Sequence, residues 1–196
     1  MRSNAESFDG AEDRELVAQV MSGQSDAFGA IVERYQDRLY NTVWRLVGNA
    51  EDARDLVQDT FVRTYENLGS FRGGSSLYTW MFRIAVNAGL SHRRRRKPLR
   101  LADADDGEDG RPIGWADPSS VNPADPLDAA ETEAIVQRAL GELDADQRAV
   151  VVLRDIQHLD YQEIADILEV PAGTVKSRLH RARLALRDRL RPLLKA

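Results

Sequence analysis

Almost every periodic stretch of this chain is helical, because its apolar residues recur three and four positions apart. Leu16, Val17, Val20 and Met21 keep that spacing and stop at Gly23. Phe28, Ile31, Val32, Tyr35, Leu39, Val43 and Leu46 mark one face of a longer helix that stops at Gly48. Both stops are glycines, the residue a left-handed C-terminal cap prefers. A third helix opens at Asn49, carries Glu51 and Asp52 in its first turn where the helix dipole favours acids, and runs through Val57, Phe61, Tyr65 and Leu68. After a glycine-containing loop, Gly69 to Ser76, a fourth helix turns Leu77, Trp80, Met81, Ile84, Ala85 and Ala88 inward. It is expected to finish in the basic run Arg93 to Lys97, before Pro98. Four such helices make one compact bundle.

From Leu99 to about Asp128 the periodicity disappears and Asp, Gly, Pro and Ser take over, which reads as a linker. Helical pattern resumes from Glu131 to Leu140, again from Asp144 to Ile156, and then in two helices on either side of Glu169-Val170-Pro171. The expected fold is therefore all-α. It has a four-helix domain over 11–98, a flexible acidic linker over 99–130 and a smaller helical domain over 131–196.

Charge sharpens that division. The whole chain carries −5, yet 99–130 holds 2 Lys/Arg against 8 Asp/Glu, and the stretch from Lys176 to Ala196 holds 8 Lys/Arg against Asp188 alone. The last segment is suited to phosphates. With no cysteine, disulfides, thiol catalysis and thiolate metal sites are excluded. His92, His158 and His180 have no metal-ligand spacing, so no metal and no cofactor is expected. The apolar runs fall short of the roughly 18 residues of a membrane span, and the first residues lack an apolar signal core, so a cytoplasmic protein without membrane insertion is expected.

Asp160 to Leu179 has the layout of a DNA-reading helix-turn-helix. Asp160 can cap the first helix with Glu163 reaching back. Ile164, Ala165 and Leu168 are expected to face the core, Val170 to plug the turn, and Val175 and Leu179 to anchor the second helix. The opposite face then offers Thr174, Lys176, Ser177, His180, Arg181 and Arg183 to base edges and phosphates. Glu169 stands where many such turns have glycine, a small penalty provided the backbone there avoids positive φ. The plainer alternative is a helical hairpin whose basic face only keeps it soluble.

These residues taken together resemble a known family. Ala27-Phe28 to Tyr35, Glu51-Asp-Ala-Arg-Asp-Leu-Val-Gln-Asp-Thr-Phe61 and Ser70-Phe-Arg-Gly-Gly-Ser-Ser-Leu-Tyr-Thr-Trp-Met-Phe-Arg-Ile-Ala-Val-Asn87 are similar to sigma region two. Leu143-Asp-Ala-Asp-Gln-Arg-Ala-Val-Val-Val-Leu-Arg154 through Arg183 is similar to sigma region four. Regions one and three have no counterpart, which is the arrangement of the extracytoplasmic-function (ECF) sigma factors.

That resemblance implies a promoter-specificity factor for core RNA polymerase, a binding protein rather than an enzyme. It assigns Asp52, Asp55, Leu56, Gln58 and Asp59 to docking on the clamp of the largest polymerase subunit, although acids on one helix face are also what a solvated surface carries. It assigns Phe71, Arg72, Ser75, Trp80, Arg83 and Asn87 to the melted strand of the minus-ten element, with Phe71 to Leu77 as a base pocket. Thr79, Arg83, Asn87 and Ser91 form the polar stripe of that helix, while Trp80 at core spacing also fits packing. Thr174, Lys176, Ser177, Arg178, His180, Arg181 and Arg183 fall to duplex minus-thirty-five DNA. Arg93 to Lys97 offers phosphate contacts or simply complements a helix C-terminus.

For the acidic linker two readings stay open: a solvated tether, or an occupant of the polymerase channel through Asp103, Asp105, Asp106, Glu108 and Asp109. Family members are often held by an anti-sigma factor, and no residue of this chain identifies one. The rival from another class is an ordinary helix-turn-helix repressor or activator that binds duplex DNA alone as a dimer. A DNA-modifying enzyme with an appended reader is a more distant one, since no nucleophile motif or phosphate-cradling loop is present.

Overall fold

The computed structural model describes residues 10–100 and 126–191, except the side chains of 96–100 and 126–131. Within them the chain is helical: α1 Gly10–Met21, α2 Asp26–Val47, α3 Ala50–Asn67, α4 Leu77–Arg100, α5 Pro126–Gly141, α6 Ala145–Val151, α7 Tyr161–Leu168 and α8 Ala172–Leu190. A single 3₁₀ turn, Leu68–Ser70, follows α3, and a π-helical turn, Val152–Ile156, continues α6.

The local chemistry of the N-terminal helices follows the sequence closely. Gly48 ends α2 at φ +84° and donates its N–H to the Trp44 carbonyl, so the chain reverses in two residues into α3. Asn49 caps α3 by accepting the Asp52 N–H at 2.9 Å. Ser76 does the same for α4, its hydroxyl accepting the Thr79 N–H at 3.0 Å. α1 is fixed by polar contacts: buried Asp13 accepts the Tyr35 hydroxyl at 2.6 Å and Arg34 at 3.0 Å. Burial and that hydrogen bond push the Tyr35 phenol well above its ordinary pKa.

Several expectations are corrected at the edges of elements. α4 does not stop at the basic run but continues past Pro98 to Arg100, because a proline so near the end forfeits only one intrahelical bond. α5 begins at Pro126, where proline suits the first helical turn, so 126–130 is helix rather than linker. Residues 101–125, including Asp103 to Asp109, lie outside the described residues, as do 192–196 at the end of the basic tail.

In α7 the buried set is Ile164, Ala165 and Ile167, with Leu168 only partly covered. Ile167 lies three residues after Ile164 and takes the inward place assigned to Leu168. The capping box is present: Asp160 accepts the Gln162 and Glu163 N–H groups at 2.7 and 2.8 Å, and Glu163 accepts the Asp160 N–H at 2.8 Å.

Glu169 does not meet the condition under which its place in the turn costs little. It sits at φ 54°, ψ 45°, the left-handed conformation that its side chain disfavours. Glu169→Gly is therefore expected to raise stability by about 1 kcal/mol in urea unfolding. A variant no more stable than wild type would mean that the turn does not hold this φ.

The two helical regions expected on either side of the linker are both present. Sequence reasoning did not address how they sit, and their buried side chains belong to one apolar cluster that joins Leu46, Val86 and Leu90 to Leu140, Leu143 and Ile164. α7 lies against α4, and α5 and α6 meet the C-terminal end of α2.

Candidate nucleic-acid interface

A groove between α3 and α4 gathers residues expected to serve two purposes. Asp52, Asp55, Leu56 and Asp59 line one wall, and Trp80, Asn87, Ser91 and His92 line the other. Asp52 lies 3.2 Å from His92 across the groove, so it is already engaged within the fold, whereas Asp55 and Asp59 are exposed. Gln58 is not part of this wall. It faces a second, apolar groove beside Phe28, Tyr40, Val62 and Tyr65, because successive positions on a helix point to different sides. Arg95 of the basic run 93–97 also lines the first groove, with Arg63 and Asn67 of α3, which sequence reasoning did not isolate. The only signal for those two was the four-residue spacing that continues Asp55 and Asp59 along α3.

The loop before α4 holds Phe71 half-buried, its ring 5.4 Å from that of Trp80. Both aromatics are thus committed in part to packing. Arg72 is exposed and Ser75 partly so, with Gly73 at φ +71° shaping the bend between them.

Along α4 the polar stripe is not uniform. Thr79 is 5% exposed and shares a 2.8 Å hydroxyl contact with Ser76, so it belongs to the helix start rather than to a reading face. Arg83 is partly covered, 3.9 Å from Glu169 of the other helical region. Its buried Nε has no hydrogen-bond partner among the described residues. Asn87 and Ser91 are open. Burial pushes the Tyr78 phenol up in pKa, nearby Arg38 opposes this, and Glu163 of α7 adds to it.

α8 divides cleanly between an inner and an outer face. Val175, Leu179 and Ala182 are buried, while Lys176, Ser177, His180, Arg181 and Arg183 are exposed. Thr174 is partly covered, and its carbonyl accepts the Ser177 hydroxyl at 3.0 Å. Lys176 holds its ammonium 5.5 Å from the Tyr161 ring centroid, and Arg181 Nε donates to the Ser177 carbonyl at 3.3 Å.

Two of the expected DNA cations are engaged within the fold. Arg183 donates through Nε to Asp155 at 3.1 Å, and that hydrogen bond is the chief reason its pKa is raised. Arg178 pairs with Asp146 at 2.9 Å. The other oxygen of Asp146 holds Arg94, from the end of α4, at 3.1 Å.

Arg93 turns away from solvent, donating to the Gly141 and Leu143 carbonyls at 2.6 and 2.8 Å. Of the basic run 93–97, the side chains of Arg96 and Lys97 lie outside the described residues. These contacts between helical regions were not foreseen, since neither periodicity nor charge counting reports which distant carbonyl an arginine will meet.

Comparison with known proteins agrees with this division. Residues 31–98 match the family Sigma-70 region 2, and residues 133–186 match Sigma-70, region 4. The RNA polymerase sigma-H factor of Pseudomonas aeruginosa is 36% identical over 94% of this chain and 96% of its own length. The ECF RNA polymerase sigma factor SigW of Bacillus subtilis is 37% identical over 92% of this chain and 97% of its own.

Among solved structures, CnrH in complex with the cytosolic domain of CnrY superposes with a TM-score of 0.68 at 29% identity, covering 92% of this chain and 98% of that one. RpoE of Bartonella quintana, in complex with the anti-sigma factor NepR, gives 0.63 at 29% identity, covering 84% and 96%. With relatives of that identity matched almost end to end, and both helical regions falling on their own family, the chain belongs to the ECF sigma factors of RNA polymerase and directs promoter-specific transcription initiation.

Proposed function

We propose how that role is divided over the chain. The N-terminal helices dock on the clamp of the largest polymerase subunit through Asp55, Leu56, Gln58 and Asp59, with Asp52 beside them. The loop and α4 hold the melted minus-ten strand through Phe71, Arg72, Ser75, Trp80, Arg83 and Asn87. α8 reads duplex minus-thirty-five DNA through Thr174, Lys176, Ser177, Arg178, His180, Arg181 and Arg183. The domain limits that go with this division are 11–98 and 131–196, widened by the ends of α4 at Arg100 and of α5 at Pro126.

The observation that carries the reading is the outer face of α8, where exposed Lys176, Ser177, His180 and Arg181 stand opposite a fully buried apolar seam. A helix so divided is locked in orientation and presents donors suited to base edges and phosphates. Arg83, whose side chain is partly exposed, offers a guanidinium of the same kind on α4. Bond-making stays with the polymerase. The capture of the Bartonella relative with an anti-sigma factor supports such a protein as the regulator here. The place of work is the cytoplasm, in keeping with the absence among the described residues of a helix long and apolar enough to cross a membrane.

The decisive test adds the purified chain to core polymerase and asks for promoter-specific transcripts. Within it, Arg181→Ala and Lys176→Ala are each expected to weaken minus-thirty-five binding by about 1 to 3 kcal/mol if they contact a base, or to lower the salt slope evenly across sequences if they contact phosphate. Promoter binding and salt dependence untouched by both would remove α8 from the interface.

A further inference from the structure

The segment that leads into the helix-turn-helix holds two cations on the outer face of α8. After the buried pair Val152 and Leu153, the π-helical turn continues into Arg154 and Asp155. Asp155 is exposed and takes Arg183 of α8 on both of its oxygens, through Nε at 3.1 Å and through Nη2. Arg154 donates to the Leu159 carbonyl at 2.6 Å, and its guanidinium stands 5.0 Å from the centroid of the Tyr161 ring. The same ring carries the Lys176 ammonium at 5.5 Å. Arg183 and Lys176 are thus both gripped from residues 154–161, a stretch to which no DNA contact is assigned above.

Each grip leaves its cation able to donate outward. The carboxylate takes the guanidinium edge formed by Nε and Nη2, which fixes the plane of the group and leaves the Nη1–Nη2 edge pointing away from Asp155. An ammonium drawn to a ring face keeps its three N–H donors. Long side chains lose rotamer freedom when they bind a target, and a side chain already held loses less.

The acid also runs against simple electrostatics. Asp155 puts a negative charge beside a face that must approach phosphates, which by itself weakens attraction to DNA. A carboxylate in that place aids reading only through the orientation it gives Arg183.

We propose that Asp155 and Tyr161 are positioning residues for minus-thirty-five recognition. Asp155 sets the plane of Arg183, and the Tyr161 ring, itself against Arg154, sets Lys176, so that both cations meet the duplex already aimed. The proposal rests on the assignment of α8 to duplex DNA. The π-helical turn is the base of this device, a geometry that occurs mostly at functional sites, and its buried Val152 and Leu153 anchor it in the core.

The test uses the full chain bound to core polymerase, with two duplexes of equal length. One carries the sequence that the wild-type holoenzyme enriches at the minus-thirty-five position from a random pool, and the other is unrelated. Asp155→Ala removes a negative charge and on charge alone tightens binding to both. Positioning requires instead that it weaken binding to the enriched duplex by about two- to fivefold, the range of an exposed ion pair, with no such loss on the unrelated one. In an Arg183→Ala background that loss should vanish.

Tyr161→Leu should weaken binding to the enriched duplex by about two- to fivefold, as a cation–π contact at an exposed site allows, and should cost nothing further in a Lys176→Ala background. Tyr161→Phe keeps the ring and should bind as wild type. Should Tyr161→Leu lower the melting temperature, the Asp155→Ala arm, at an exposed position, decides. Tighter binding of Asp155→Ala to the enriched duplex, or losses of equal size with and without Arg183 and Lys176, would overturn the proposal while leaving α8 as the reader. A loss shared by Tyr161→Phe would overturn the role of the ring in favour of its hydroxyl. Unchanged binding by Arg183→Ala and Lys176→Ala, or failure to enrich any sequence, would instead remove the assignment of α8, and the proposal with it.

Discussion

Phe82→Ala is expected to destabilise the protein by about 3 to 5 kcal/mol, the largest effect foreseen for a single substitution here. Phe82 is 0% exposed on α4, its ring 4.1 Å from that of Tyr78, and Met81, Ala85 and Val86 beside it are equally buried. Truncation removes the transfer free energy of the ring and leaves a cavity that helices pinned on several sides close poorly. Native stability is only about 5 to 15 kcal/mol, so a loss of this size takes a large share of it. The melting temperature should fall by about 10 °C or more. Minus-ten recognition should fail with it, because Arg83 and Asn87 ride on the same helix. Phe82→Leu, which keeps most of the volume, should recover most of the loss. A destabilisation below about 1 kcal/mol for the alanine variant would show that α4 does not bury this ring.

The contrast between what was and was not legible in the sequence has a physical pattern. Helix positions, the glycine stop at Gly48, the Asn49 cap and the Asp160–Glu163 capping box were all readable, because each depends on residues within four positions of one another. The seam of α8 was readable for the same reason, since Val175 and Leu179 are one helical turn apart.

What failed depended on distant partners or on competition between local preferences. Glu169 adopts positive φ because the short connection between α7 and α8 demands it, a demand that composition does not carry. Thr79 belongs to a helix start because Ser76 lies three residues before it, a polar pairing that a four-residue stripe count conceals. The roles of Arg93, Arg94 and Asp146 arise only when two regions pack, and a basic run reads identically whether it faces phosphate or a carbonyl.

Asp55→Arg combined with Asp59→Arg is expected to weaken core polymerase binding by about 100-fold or more while leaving the fold intact. The structure selects these two acids rather than Asp52, whose carboxylate is within 3.2 Å of His92 and whose loss would disturb the α3–α4 packing as well as any interface. Asp55 and Asp59 are both exposed and line the same groove four residues apart. Exposed helix charges contribute little to stability, so the melting temperature should move by no more than about 2 to 4 °C.

An interface built on attraction between these carboxylates and a basic docking surface would instead lose two attractions and gain two repulsions, worth several kcal/mol when like charges are brought together. The affinity of wild type should also fall with salt, and the variant's residual binding should not. Titration of labelled polymerase at two salt concentrations, with circular dichroism on the same samples, checks both halves. Unchanged affinity with unchanged helicity would remove these acids from the polymerase interface and return them to an ordinary solvated face.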